Sequence, residues 1–159
     1  MLSQAEKTLR TTLRRSAMDL LARREHSRVE LHDKLNRKYA EHSALIPEVL
    51  DQLEQDNLLS DDRFTEAYVR YRQNRGFGPL LIAQELRNKG VSQVQIQAHL
   101  CSDDEQWQVN LGDLIARKSN QAVLSQLDTK ARQKLFRFCL SRGFPSDQIG
   151  RALRGNLEL

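Results

Sequence analysis

Residues 60–100, SDDRFTEAYVRYRQNRGFGPLLIAQELRNKGVSQVQIQAHL, decide the fold. Phe64, Ala67, Tyr68 and Tyr71 recur at i, i+3, i+4 and i+7, the spacing that lines one side of an α-helix. Ser60 precedes two carboxylates, Asp61 and Asp62, placed at the positive end of that helix's dipole. Gly76-Phe77-Gly78-Pro79 then interrupts the pattern, and Pro79 suits a first helical turn, where its missing N–H costs nothing. Ile82 and Leu86 restart the stripe, and Gly90 suits the left-handed position just past a helix end. Ser92 to Gln95 reads as a capping box, after which Ile96 and Leu100 form a third stripe. The spacing predicts helices over 61–75, 79–89 and 93–101.

The same punctuation recurs further along. Gly90-Val91, Ile96 and Leu100 match Gly143-Phe144, Ile149 and Leu153 at identical offsets. Trp107, Leu111, Leu114 and Ile115, then Leu135, Phe138 and Cys139, supply two more stripes before that second signature, predicting helices over 103–118, 129–142 and 146–154. Upstream, Leu9, Leu13, Ala17, Leu20 and Leu21, then Leu31 and Leu35, then Val49, Leu50 and Leu53 predict helices over 4–24, 28–39 and 47–56. Ser27 to Glu30 and Ser102 to Glu105 read as further capping boxes. A three-helix unit of roughly 45 residues cannot bury its apolar stripe alone, so neighbouring units must stack. The expected fold is all-α: three tandem three-helix repeats, 1–60, 61–102 and 103–159, in an elongated, curved array. Seven Gly and three Pro in 159 residues disfavour an all-β sandwich, which needs frequent turns.

Charge follows the same period. Residues 1–40 carry net +5, 41–62 net −7, 63–92 net +4, 93–116 net −4 and 117–159 net +6. Like-signed blocks at a fixed spacing suggest repeats whose faces differ in charge. No apolar run is long enough to span a bilayer, and Met1 to Leu21 has no secretory h-region. Cys101 and Cys139 form no CxxC and read as reduced, buried thiols of a cytoplasmic protein. His26, His32, His42 and His99 include no i, i+4 pair, so no metal site is expected. Gly76 to Pro79 joins two helices rather than a strand and a helix, so it reads as a tight linker and not a phosphate loop. The paired acids sit at helix starts, where the dipole explains them. Nothing points to an enzyme, and no cofactor is expected.

The basic residues are the better lead. Arg23 and Arg24 end the first helix, and Lys34, Arg37 and Lys38 lie at i, i+3, i+4 on the second. Arg63 and Arg70 share a side of the fourth helix, Arg72 and Arg75 crowd its end, and Arg87 and Lys89 follow on the fifth. Lys130, Arg132, Lys134, Arg137 and Arg142 occupy the eighth. One reading is a solvated surface whose Arg stems cover apolar edges. The other is a footprint for phosphates or for an acidic protein groove, with the acidic third helices on another face. Phe64, Tyr68, Tyr71 and Trp107 fall on the apolar stripes and read as core.

Two stretches resemble a known family. Ala17 to Leu35, which contains Arg23-Arg24-Glu25-His26-Ser27, resembles the first signature of the RecX family of bacterial regulators of the RecA recombinase. Leu58 to Phe64, then Tyr71, Arg75-Gly76-Phe77-Gly78-Pro79, Ile82, Glu85-Leu86 and Lys89 to Ser92 resemble its second, with a looser match at Leu140 to Phe144. The resemblance implies three tandem three-helix units and a non-enzymatic role. It implies binding in the helical groove of the RecA filament on single-stranded DNA, bridging subunits and inhibiting ATP hydrolysis, strand exchange and coprotease action. The contact residues expected from it are Arg23, Arg24, Lys34, Arg70, Arg72, Arg75, Arg87 and Lys89. Weak non-specific DNA contact could accompany this role, and nothing in the sequence demands more than a monomer. The alternative is a stand-alone helical nucleic-acid-binding module, against which the acidic third helices argue.

Overall fold

The computed structural model describes residues 1–101 and 104–154. Among these are nine α-helices and no strand: α1 Gln4–Arg23, α2 Arg28–Lys38, α3 Ile46–Gln55, α4 Asp61–Asn74, α5 Pro79–Asn88, α6 Gln93–His99, α7 Glu105–Lys118, α8 Thr129–Ser141 and α9 Ser146–Arg154. Each expected helix is present within two residues at either end. Two short 3-10 turns, Ala40–Leu45 and Leu124–Gln126, fill stretches where the spacing is silent.

The start and stop signals act as local chemistry predicts, with instructive exceptions. Gly90 (φ 80°) and Gly143 (φ 96°) adopt the left-handed conformation that ends a helix. The Glu30 N–H donates to Ser27 Oγ (3.1 Å), but the Glu30 carboxylate does not return the bond; it is engaged elsewhere. Asp61 does not simply face its own helix dipole. Its Oδ1 accepts from the Arg28 N–H (2.7 Å), so a residue of α4 satisfies an orphan donor at the start of α2. Ser102 lies outside the described residues, and α7 is capped by Asp104, which accepts from the Gln106 N–H (3.0 Å).

The described residues form two compact units: Met1–Ala67 with Arg87–Gln95, and Tyr68–Leu86 with the residues from Ile96 onward. This partition differs from the repeat boundaries, because it divides the middle triplet.

In the first unit, Leu13 and Ala17 of α1, Leu31 and Leu35 of α2, and Ile46, Val49, Leu50 and Leu53 of α3 make one core. Fully burying each Leu or Ile contributes about 1.5–3 kcal/mol. The acids of α3 and of its C-cap residue, Asp56, face bases of the neighbouring helices. Arg10 pairs with Glu48, Arg14 with Asp56 (2.8 Å), and Arg28 with both Asp51 (2.8 Å) and Glu54 (3.1 Å). This acidic block therefore does not form a separate face, and the expectation of acidic third helices holds for α3 alone: α6 carries no Asp or Glu, and α9 carries Asp147 against Arg151 and Arg154.

In the second unit, Trp107 of α7 meets Phe144 edge-on, with ring centroids 6.4 Å apart. Leu111 and Ile115 of α7, Leu135 and Cys139 of α8 and Ile149 of α9 are buried as well, and the three helices pack on one another. The Gly78 N–H donates to the Arg142 carbonyl (2.7 Å) and the Leu80 N–H to the Gly143 carbonyl (2.9 Å). A Cβ on Gly78 would sit 2.6 Å from the Gly143 backbone. The Gly76–Pro79 linker is thus a backbone-to-backbone seam that only glycine permits.

Two expectations about exposure are corrected. Tyr71 is 52% exposed, because it stands at the edge of the α4 stripe; Phe64 and Trp107 are core. Cys101 is exposed, whereas Cys139 is buried and burial pushes its thiol up to about 11.

Candidate docking site

The site begins with two helices and a turn. Arg23 closes α1, Glu25-His26-Ser27 connect it to α2, and α2 packs against α1. Lys34, Arg37 and Lys38 recur at i, i+3, i+4 and therefore share one side of α2. They meet Arg23 across a cleft of about 500 Å³ floored by Leu20 and Leu35. Asp19 is the one carboxylate among the residues lining it. Arg23 and Arg37 are exposed with no carboxylate partner among the described residues, and Lys38 lies over the Tyr39 ring (5.4 Å). In a unit whose other bases are largely paired, this is an unneutralised cationic groove.

Lys34 has an unusual partner. Its ammonium lies 3.0 Å from Nε2 of His26, whose Nδ1 lies 3.1 Å from the Arg24 carbonyl oxygen. An ammonium only donates, so Nε2 accepts and Nδ1–H donates to the carbonyl: a neutral imidazole satisfied at both nitrogens. His26 is 1% exposed. Burial holds its pKa below the ordinary value, with the Arg24 and Lys34 charges adding to the effect. Burial, then the Arg24 charge, also lowers the pKa of Lys34.

Beside this pair lies an ion network. Glu30 accepts two bonds from the Arg24 guanidinium (3.0 and 2.9 Å) and one from Lys89 Nζ (3.3 Å), while Ser27 Oγ donates to the Lys89 carbonyl (2.7 Å). Burial alone would raise the Glu30 carboxyl; Arg24 and Lys89 overcome it and hold the pKa at about 2. Arg24 and Lys89 are thus tied to the joint that ends α1, starts α2 and follows α5.

The second unit carries a different cationic surface. Arg72 grips Glu85 through Nε (2.9 Å) and a terminal nitrogen (2.5 Å), Tyr68 Oη donates to the same carboxylate, and the Arg72 guanidinium lies 3.7 Å from the Phe77 ring centroid. Arg142 lies over both Phe77 (4.9 Å) and Phe138 (5.0 Å), and Lys118 over Phe138 (4.6 Å). Arg75 lies over exposed Tyr71 (4.9 Å). Arg75, Arg142 and Lys118 have no carboxylate partner among the described residues. Cations and aromatic faces alternate here in one run.

Of the eight residues expected to make contacts, Arg23 and Lys34 line one cleft. Arg24 and Lys89 share the Glu30 network, and Arg72 is committed to Glu85. Arg75 is exposed over Tyr71, Arg70 is exposed, and Arg87 is exposed with a hydrogen bond to Gln93 (3.4 Å). Sequence reasoning left out Arg37 and Lys38, although their spacing with Lys34 was visible. It also left out His26, whose role depends on a residue eight positions away, and the Phe77–Arg142–Phe138 run, which no spacing reveals.

The chain resembles known proteins along most of its length. The models for the RecX first, second and third three-helix domains match residues 14–53, 60–100 and 104–153. A regulatory protein RecX of Pseudomonas putida strain GB-1 is 42% identical over 143 residues, 90% of each chain. One from Pseudomonas savastanoi pv. phaseolicola is 43% identical over the same span. Among solved structures, RecX from Lactobacillus salivarius superposes with a TM-score of 0.79 at 23% identity, covering 94% of this chain and 97% of that one. A second regulatory protein RecX gives 0.77 at 20% identity, covering 96% and 79%.

Proposed function

The chain belongs to the RecX family of regulatory proteins, and from that premise we propose that it is a non-catalytic regulator of the RecA recombinase. In this reading it docks on RecA filaments on single-stranded DNA, lies in the helical groove and bridges neighbouring subunits. ATP hydrolysis, strand exchange and coprotease action are thereby suppressed. The three triplets, 1–60, 61–102 and 103–159, act as repeated docking elements, so one engaged element raises the effective concentration of the next.

The observation that carries this reading is the α1–α2 cleft. Among the described residues Arg23 and Arg37 are left without carboxylate partners in a unit that pairs Arg10, Arg14 and Arg28 with its own acids. Charges left unpaired at a groove favour an acidic partner surface, steering encounter and setting register. The described residues contain no His/Cys/Asp/Glu grouping able to hold a metal and no helix long and apolar enough to cross a membrane. The test is to add the protein to RecA on single-stranded DNA with ATP. Hydrolysis and strand exchange fall at up to stoichiometric amounts; unchanged rates would sink the proposal.

A second reading, direct binding to nucleic acid, is favoured by the alternation of Lys118, Phe138, Arg142 and Phe77. Aromatic faces can stack bases while cations meet phosphates. It requires steeply salt-dependent DNA binding without RecA. The two readings separate when RecA inhibition is measured at protein concentrations too low to coat free DNA.

A further inference from the structure

His26 is the one buried titratable group in the α1–α2 joint that the docking cleft does not display. It is 1% exposed, yet its Nε2 is the hydrogen-bond partner of a cleft residue, Lys34, at 3.0 Å. Its other nitrogen is anchored to the Arg24 carbonyl at 3.1 Å. The charged groups facing it are Arg24 at the end of α1, Lys34 and Glu30 on α2, and, through Glu30, Lys89 after α5. Three of these four are cations, and Glu30 already accepts from Arg24 and Lys89. A second proton on the ring would put an N–H against the Lys34 ammonium with no free acceptor, so protonation of the ring is disfavoured while the cleft is empty.

We propose that His26 is the positioning residue of the cleft and couples docking to proton uptake: an acidic partner group that draws the Lys34 ammonium off Nε2 leaves that nitrogen free to take a proton from solvent. The reasoning is linkage. An anion seated on Lys34 lies within the few ångströms over which a charge favours protonation of a neighbouring imidazole. It also removes the ammonium that opposes protonation. By reciprocity, protonated His26 must then hold that anion more tightly, so docking strengthens as pH falls. With the cleft empty, the neutral ring holds Lys34 at the cleft wall. The proposal rests on the α1–α2 cleft being the docking site, and its test is chosen to fail separately from the RecA reading.

The imidazole of His26 is followed by NMR against pH in the full chain, with and without a hexaglutamate peptide at low salt. The expected midpoint lies below about 6.5 in the free chain and rises with peptide. Each unit of rise corresponds to about tenfold tighter docking at low than at high pH. Calorimetry of docking to RecA filaments at pH 6.5, in two buffers of different ionisation enthalpy, should register proton uptake that His26→Gln abolishes. The Gln carbonyl can still accept from Lys34 but cannot titrate. Lys34→Met, which leaves His26 in place, should raise the free midpoint and make it insensitive to peptide. A free midpoint at or above the ordinary value, a midpoint that peptide does not move, or uptake equally large in His26→Gln overturns the proposal. Filaments that bind no protein would refute the RecA reading, and the peptide titration would still decide this one.

Discussion

Replacing Glu30 by Gln tests whether the joint between α1 and α2 is held by charge. Glu30 is 14% exposed and its carboxyl is held at about 2 against an ordinary 4.5. At 1.36 kcal/mol per pKa unit, the shift sets a ceiling of about 3 kcal/mol on the carboxylate's contribution. The partners are wetter: Arg24 is 49% exposed and Lys89 31%. Solvent screening of such partners brings the expectation to about 1–2 kcal/mol. For a chain of this length that is a fall in Tm of about 2–8 °C at neutral pH. The sign with pH is fixed by linkage. A carboxyl depressed in the folded state stabilises above its unfolded value, and the benefit is lost as pH falls from about 4.5 toward 2. Thermal unfolding followed by circular dichroism, for both proteins between pH 7 and 2, should show the gap closing over that window. A gap that stays constant with pH would mean that Glu30 acts by packing, and the electrostatic account would be wrong.

Arg23→Glu with Arg37→Glu should weaken inhibition of RecA by about tenfold or more, as each reversal removes and opposes a steering charge, while Tm stays within a degree or two; intact inhibition would put the docking face elsewhere. Arg75→Glu should leave stability unchanged, whereas Arg72→Glu should cost about 2–4 kcal/mol in chemical denaturation, because it opposes the Glu85 carboxylate that Arg72 now grips. Gly143→Ala should destabilise by about 1–3 kcal/mol, since φ is 96° and the new Cβ would meet Leu81 Cβ at 2.4 Å; an unchanged Tm would refute the seam. A thiol reagent at pH 8 should label Cys101 quickly and Cys139 only on unfolding, because burial pushes the Cys139 thiol up to about 11.

The helices were legible because their causes are local. Stripes such as Trp107, Leu111, Leu114 and Ile115 report the 3.6-residue period directly, and Gly90 and Gly143 mark ends because only glycine sits comfortably at positive φ. The cleft is legible only in part: the sequence sets Arg23 at the end of one helix and Lys34 on the next, and the fold lines one cleft with both. Capping boxes were harder. Ser27 caps α2, but the Glu30 carboxylate takes Arg24 and Lys89 as partners in place of the return bond to the cap, and the spacing of a capping box does not reveal such competitors. Tyr71 fitted the stripe in spacing yet lies at its edge, and periodicity does not say how wide the buried stripe is.

What the residue order settled alone is the all-α triplet pattern, its start and stop points and the family to which they belong, since each depends on neighbours within about one or two helical turns. Only the tertiary structure decided which charges are spent and which are free. Glu30 meets Lys89 across 59 positions and Arg14 meets Asp56 across 42. Such pairings depend on where helices cross, which no local spacing encodes. For the same reason the acidic block 41–62, read in one dimension as a separate face, turns out in three dimensions to be largely partnered by Arg10, Arg14 and Arg28, while among the described residues Arg23 and Arg37 of the same unit keep no carboxylate.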